Sequence, residues 1–212
     1  MNNSAAVYDV LCNEEAWHWD TYDGHKLIFH RDGTGEITSW AELNMWIFAI
    51  FEWKVHDPTT VEYNDPTTVE YNAPVSPVGA QRSVVHKLFS RSRQAPPELC
   101  AAIEFTLTKR RPLRDGKVFD PQRLINEDVL LDAAFEPRVL NITVERGRFK
   151  APWDRPSKSF FKSRLSFDMS PYPAKEAWRP RQHAMVDSMG QPKMTQFCAQ
   201  ELAREDGGCV VM

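Results

Sequence analysis

The sequence predicts a mostly β fold: a single antiparallel barrel with a C-terminal helical tail. Three observations predict it. The stretch His25–Val55 gathers Trp46, Ile47, Phe48, Ile50, Phe51 and Trp53 behind Asp32-Gly33-Thr34-Gly35, whose residues tolerate the positive φ of a tight reversal. At least seven segments between Trp17 and Asp168 read as strands, most of them alternating apolar and polar groups. Fifteen prolines and nine glycines imply many turns, which suits a chain of short strands better than a helical bundle. A length of 212 residues with 42% hydrophobic content suffices for one domain with a sizeable core.

In chain order, residues 1–15 read as a flexible lead-in with at most one helical turn, and 16–173 as the barrel. Ala16–Asp20 forms a short strand, with Trp17 and Trp19 on one face and His18 on the other. Tyr22-Asp23-Gly24 turns it into Lys26–Arg31, where Leu27 and Phe29 share a face. Ser39–Asn44 either continues that strand past a bulge or loops into the next one. Trp46–Val55 is apolar on both faces at first and on one face later, as in a strand entering a covered sheet.

Asp57-Pro58-Thr59-Thr60-Val61-Glu62-Tyr63-Asn64 then recurs identically as residues 65–72. Two copies of so short a unit make no solenoid. An exposed loop tolerates such a duplication, since doubling a loop costs only about 0.6 kcal/mol; a repeated Tyr-bearing docking motif is the alternative. Ala73–Gly79 is proline-rich, Ser83–Phe89 is a strand, and Ser90–Arg93 is a basic turn. Leu99–Lys109 alternates Ile103, Phe105 and Leu107 with Glu104, Thr106 and Thr108. Pro121–Phe135 holds a short helix through Leu124, Val129 and Leu130. Val139–Arg146 points Leu140, Ile142 and Val144 inward, with Arg146-Gly147 turning the chain. Ser159–Asp168 is the last strand, with Phe161, Leu165 and Phe167 on one face. In the tail, 174–212, prolines interrupt the first half, and Met194–Glu205 places Met194, Phe197, Cys198 and Leu202 at helical spacing.

A net charge of −3 and a pI near 6.1 argue against nucleic-acid binding through bulk charge. The N-terminal residues carry no secretory signal, and no apolar run reaches membrane-spanning length. Cys12, Cys100, Cys198 and Cys209 are scattered, without metal-ligand spacing, as expected of reduced thiols in a cytosolic protein. No metal or cofactor is expected, and the sequence carries no signal of oligomeric state.

The last four residues, Cys209-Val210-Val211-Met212, have the C-a-a-X form typical of farnesylation, and Gly207-Gly208 leaves the cysteine accessible. One prenyl chain gives marginal anchoring, so a second signal is expected. Glu205-Asp206 beside it is acidic. The companion is then either Cys198, acylated, or a basic rim of Arg91, Arg93, Lys109, Arg110, Arg111, Arg114 and Lys117; ordinary solvated turns are the alternative for those charges. The expected location is the cytoplasm, partly on the cytoplasmic face of membranes.

A barrel of about eight strands either fills with side chains or holds one small ligand. The DGTGE hairpin, the early tryptophans and the meander of strands resemble a lipocalin-like (calycin) barrel over Trp17–Asp168. The Gly-x-Trp signature of true lipocalins is replaced by Glu15-Ala16-Trp17. Leu27-x-Phe29-x-x-Asp32-Gly33-Thr34-Gly35-Glu36, followed by Trp46-Ile47-x-x-x-Phe51-Glu52-Trp53-Lys54, is similar to a group of uncharacterised filamentous-fungal proteins. The lipocalin resemblance implies a binding protein for a small hydrophobic ligand or lipid, with Trp46, Phe48, Ile50, Trp53 and Phe105 as candidate contacts.

An enzyme, a cyclase or isomerase acting on an apolar substrate in the cavity, is the alternative. It draws on His18, Asp20, Tyr22, Asp23, His25, His30, Glu36, Glu52 and His86, above all on His30, Glu52 and His86, provided that these face the lumen rather than solvent. A membrane-tethered interaction module with a filled core is the third class. No HExxH, phosphate loop or G-x-S-x-G elbow is present.

Overall fold

The computed structural model describes residues 3–41, 44–56, 97–112, 125–153 and 159–202. These form eight antiparallel strands hydrogen-bonded in a closed ring: β1 Trp17–His18, β2 His25–Phe29, β3 Thr34–Ala41, β4 Asn44–Val55, β5 Leu99–Leu107, β6 Arg138–Phe149, β7 Phe161–Phe167 and β8 Gln196–Glu201. Each strand pairs with its neighbours in sequence, and the ring closes where His18 of β1 meets Cys198 of β8. The repeat 57–72, the strand expected at Ser83–Phe89, and Cys209 lie outside the described residues.

The turn after β2 follows from its composition. Gly33 takes φ +84, and Asp32 Oδ1 accepts hydrogen bonds from the N–H and hydroxyl of Thr34 at 2.9 and 2.6 Å. Gly35 must lack a side chain, because the ring of Phe51 and the carbonyl of Ile28 fill the space a Cβ would need. β3 then runs on to Ala41 through a bulge at Ser39/Trp40, which resolves the ambiguity of Ser39–Asn44.

Leu27, Phe29, Ile37, Phe51, Trp53, Ile103, Phe105, Leu107, Leu140, Ile142, Val144, Leu165, Phe167 and Phe197 are buried in one continuous core. Its rings pack on one another: Phe51 stacks on Phe105 at 4.4 Å, and Phe29 stands edge-on to Phe51 and Trp53 at 5.2 Å. One end of the ring, near Trp53, is covered by the helix α1, Asn3–Cys12. The lead-in is therefore three helical turns and part of the core. Val7 and Leu11, four positions apart on one face, are fully buried, Tyr8 packs on Trp53 at 4.5 Å, and Trp17 Nε1–H donates to the Leu11 carbonyl.

The other end, where β2 begins and β3 ends, is covered by residues 170–195. This segment contains α2, His183–Met189, flanked by short 3-10 turns. Here the tail departs from expectation, since Gln196–Glu201 is the strand β8 and not part of a helix. The exposed backbone groups of β7 and β1 need a partner, and β8 supplies it. The expected turn at Arg146-Gly147 is instead a bulge, with β6 continuing to Phe149. Within 121–135 the described residues form two 3-10 turns, Asn126–Asp128 and Asp132–Phe135.

Candidate functional site

Polar groups inside a barrel core are costly unless paired, so they mark places to look for function. The most connected set begins at Asp20, just past β1. Its Oδ1 accepts hydrogen bonds from the backbone N–H of Tyr22 at 2.8 Å and of Gly24 at 3.0 Å. Its Oδ2 lies 2.8 Å from Nδ1 of His25, the first residue of β2. Gly24 makes the turn possible: a Cβ there would come within 2.9 Å of the Trp40 carbonyl oxygen and 3.0 Å of Asp20 Oδ2. Burial pushes the Asp20 carboxyl up, but the hydrogen bonds from His25, Gly24 and Tyr22 outweigh it, and it titrates below its ordinary value.

A carboxylate accepts and cannot donate, so a neutral His25 carries its hydrogen on Nδ1 and has its acceptor at Nε2. Nε2 is buried and has no partner among the described residues. The imidazole is walled edge-on by Trp19 at 5.3 Å and by Tyr172 at 6.1 Å. Tyr172 is itself buried and donates its hydroxyl to the Thr38 carbonyl at 2.6 Å. Burial, reinforced by the Asp20 carboxylate, raises that phenol well above its ordinary value and keeps it neutral. Gln191 completes the layer, with its Nε2 3.3 Å from Ser39 Oγ.

Asp20 also stands on the wall of an open cleft of about 820 Å³ that runs along the outside of β1. Glu15, His18, Tyr22, Asp23 and Glu201 line it as well. His18 lies 3.2 Å from Asp23; burial holds its imidazole below the ordinary value against the pull of that carboxylate. Tyr22 is 59% exposed, and Trp153, 50% exposed, stacks on Trp19 at 5.7 Å. The cleft thus presents carboxylates, His18 and the Tyr22 ring, and Asp20 joins it to the buried His25 behind it.

The other candidate positions do not converge on this place. His30 lies on the outside, 3.7 Å from Glu36, and Glu52 is exposed and pairs with Arg110 at 2.5 Å, so no His–Glu pair faces the interior from these positions. Glu52 lines a separate cleft of about 450 Å³ with Tyr8, Lys54 and Glu104. His86 lies outside the described residues. The five candidate ligand contacts divide between two faces of the sheet. Trp53 and Phe105 are register partners in the core; Phe48 and Ile50 alternate onto the opposite face of β4, and Trp46, at the irregularity between the Met45 and Ile47 register pairs, is half-buried against the core. Phe48 is buried there, and its backbone N–H and carbonyl bond the Asn126 side chain at the strand edge.

Cys198 is fully buried, and burial pushes its thiol up to about 12 against the opposing pull of Arg164; a second lipid therefore has no route to it. Lys109, Arg110 and Arg111 of the expected basic rim each pair with a carboxylate, on Asp132, Glu52 and Glu127. Arg91, Arg93, Arg114 and Lys117 lie outside the described residues, and among those described no helix is long and apolar enough to cross a membrane. The sequence reading named Asp20 and His25 singly but missed their union, and it missed Tyr172, Ser39 and Gln191. The local signal was present: an Asp followed by a Gly-containing turn folds back on its own backbone two to four residues later. Comparison with protein-family models, curated proteins and solved structures finds no match to this chain.

Proposed function

We propose that this chain is a lipocalin-like barrel that works as an interaction module, tethered to the cytoplasmic face of membranes by farnesylation of Cys209. The resemblance to the filamentous-fungal group with the DGTGE hairpin is kept on the same footing, as a likeness of sequence pattern. The observation that carries the reading is the filled interior. Phe29, Phe51, Trp53 and Phe105 pack ring against ring in the middle of one continuous core, which suits a scaffold presenting its outside better than a container. The test of the tether is Cys209→Ser: the wild type should divide between membrane and cytosol in a prenylating host, and the variant should be soluble. Intact mass decides it, since an unmodified C-terminus ending in Met212 refutes the tether.

A second reading keeps the small apolar ligand, as cargo or as substrate of an isomerase or cyclase. The unpartnered Nε2 of His25 supports it, since a buried acceptor oriented by a carboxylate is the form a general base takes. Fluorescent fatty acids or terpenoids should then bind the wild type and lose affinity in His25→Phe. No binding by either protein leaves the interaction module standing.

A further inference from the structure

The sequence that spans β6 and β7 has a charge character unlike that of the rest of the chain. From Arg146 to Arg164 the sequence holds seven basic residues (Arg146, Arg148, Lys150, Arg155, Lys158, Lys162, Arg164) and one acidic residue, Asp154, in a chain of net charge −3. Among the described ones, Arg146 is engaged by Glu14 and Glu98 and Arg164 by Glu145. Arg148, Lys150 and Lys162 are exposed and, among the described residues, join no ion pair.

Aromatic rings hold this charge in place. The guanidinium of Arg148 sits 3.9 Å from the centre of the Phe160 ring, and Lys150 Nζ lies 5.6 Å from the same ring. Arg164 covers Phe149 at 4.6 Å. Lys162 and Arg164 alternate along β7 and share one face, and Phe160 immediately precedes the strand. Cations laid over half-buried aromatics, with their charged ends in water, combine the two chemistries that an anionic bilayer surface offers: phosphate charge and an apolar edge.

The chain leaves the described structure at the same place. β8 ends at Glu201, opposite Phe161, and the N–H of Leu202 donates to the Phe160 carbonyl at 2.6 Å. Cys209 follows seven residues later (209 − 202), a reach of at most about 25 Å in an extended chain. The tail itself brings Glu205 and Asp206 against Arg204, so it carries no net positive charge to accompany a single prenyl group.

We propose that the Arg148–Lys150–Phe160–Lys162 face docks on anionic phospholipid and forms the second half of a two-part membrane attachment with the farnesylated Cys209. The proposal rests on the reading of Cys209 as a prenylation site. It replaces the acylated cysteine and the paired basic rim as the companion signal.

The test uses the full farnesylated chain and two vesicle preparations, phosphatidylcholine alone and phosphatidylcholine mixed with phosphatidylserine. Each Lys or Arg at an anionic surface contributes about fivefold to partitioning. The wild type should therefore prefer the phosphatidylserine vesicles, and Arg148→Gln/Lys150→Gln/Lys162→Gln should lose that preference by about 100-fold. Lys109→Gln/Arg110→Gln/Arg111→Gln, with the same change in net charge, should keep it. Raising the salt concentration should weaken the wild-type preference, a readout independent of any variant's folding.

Equal binding of the farnesylated wild type to both vesicles, or a triple variant that matches it, overturns the proposal while leaving the tether intact. Absence of binding to either vesicle sinks the tether reading and the proposal with it. Binding of single-stranded RNA without any phosphatidylserine preference assigns the face to nucleic acid and overturns the lipid proposal.

Discussion

Asp20 and His25 meet at 2.8 Å with both side chains almost entirely out of water, one at the end of β1 and the other at the start of β2. β1 is only two residues long and meets β8 in a single register pair, His18 with Cys198, so the ring is thinnest where this pair stands beside it. Asp20 Oδ1 holds the turn through two backbone N–H groups, while Oδ2 holds the imidazole. The pair thus ties the closing strand to the rest of the sheet.

Asp20→Ala should destabilise the fold by about 3 kcal/mol, since it orphans two backbone donors and the buried Nδ1–H together. Asp20→Asn should cost less, about 1–2 kcal/mol, because the amide still accepts from one side. Urea denaturation monitored by tryptophan fluorescence measures both. An alanine variant as stable as the wild type would show that the turn stands without the pair.

The pH dependence separates His18 from Asp20. Burial lowers the folded value of His18 below the ordinary 6.5. An unfolded chain therefore starts to bind a proton there near pH 6.5 while the folded chain does not. The stability involved is intact above that pH and is lost as the pH falls towards the depressed folded value. Asp20 is likewise depressed below 3.8, so its contribution persists down to the ordinary carboxylate range and is lost only as the pH drops further, through its folded value. His18→Gln should flatten the stability profile just below pH 6.5 and leave the acid limb unchanged. Asp20→Asn should do the reverse. Parallel profiles for His18→Gln and wild type would contradict the burial argument.

α1 gives a third test. Leu11 is fully buried and its carbonyl accepts from Trp17 Nε1 at 3.2 Å. Leu11→Ala should cost about 2–5 kcal/mol, the range for a truncated core leucine. Ile142→Ala, at 2% exposure on β6, should cost a similar amount. A Leu11 variant with a wild-type midpoint would return the N-terminus to the status of a lead-in.

The strands with one wet face were legible in the sequence, and so was β4 with its apolar residues on both faces; β8, covered on both sides, was not. Ile103, Phe105 and Leu107 alternate with partly exposed neighbours, and β5 follows their period of two. In β8, Phe197 enters the core while Cys198 is covered from outside by the segment around Lys150 and Ala151, so alternation vanishes and helical spacing appears in its place. In β4 Phe48 is buried on the face away from the core while Trp46 packs against the core, so the run of large apolar residues looks like a ligand wall. The Asp20–His25 pair was hidden for another reason: its members are ordinary one by one, and only a turn that Gly24 alone permits brings them together.

Asn126 carries the final prediction. Beyond Ile50 the β4–β5 ladder runs out: Ile50 N–H donates to Arg110 and the Ile50 carbonyl accepts from Thr108, and β5 offers Phe48 nothing. The Asn126 amide takes the place of a strand there, with Oδ1 accepting from Phe48 N–H at 2.9 Å and Nδ2 donating to its carbonyl at 2.8 Å. Its backbone sits at φ +50, a conformation that asparagine tolerates and alanine resists. Asn126→Ala should therefore lose both bonds and incur backbone strain as well, about 3–4 kcal/mol in all. Asn126→Gly loses the bonds but not the conformation, and should be more stable than the alanine variant by about 1 kcal/mol. Denaturant midpoints for the three proteins decide the matter. The order wild type, glycine, alanine is expected, and an alanine variant at or above glycine would mean that the left-handed turn is not what the sheet edge requires.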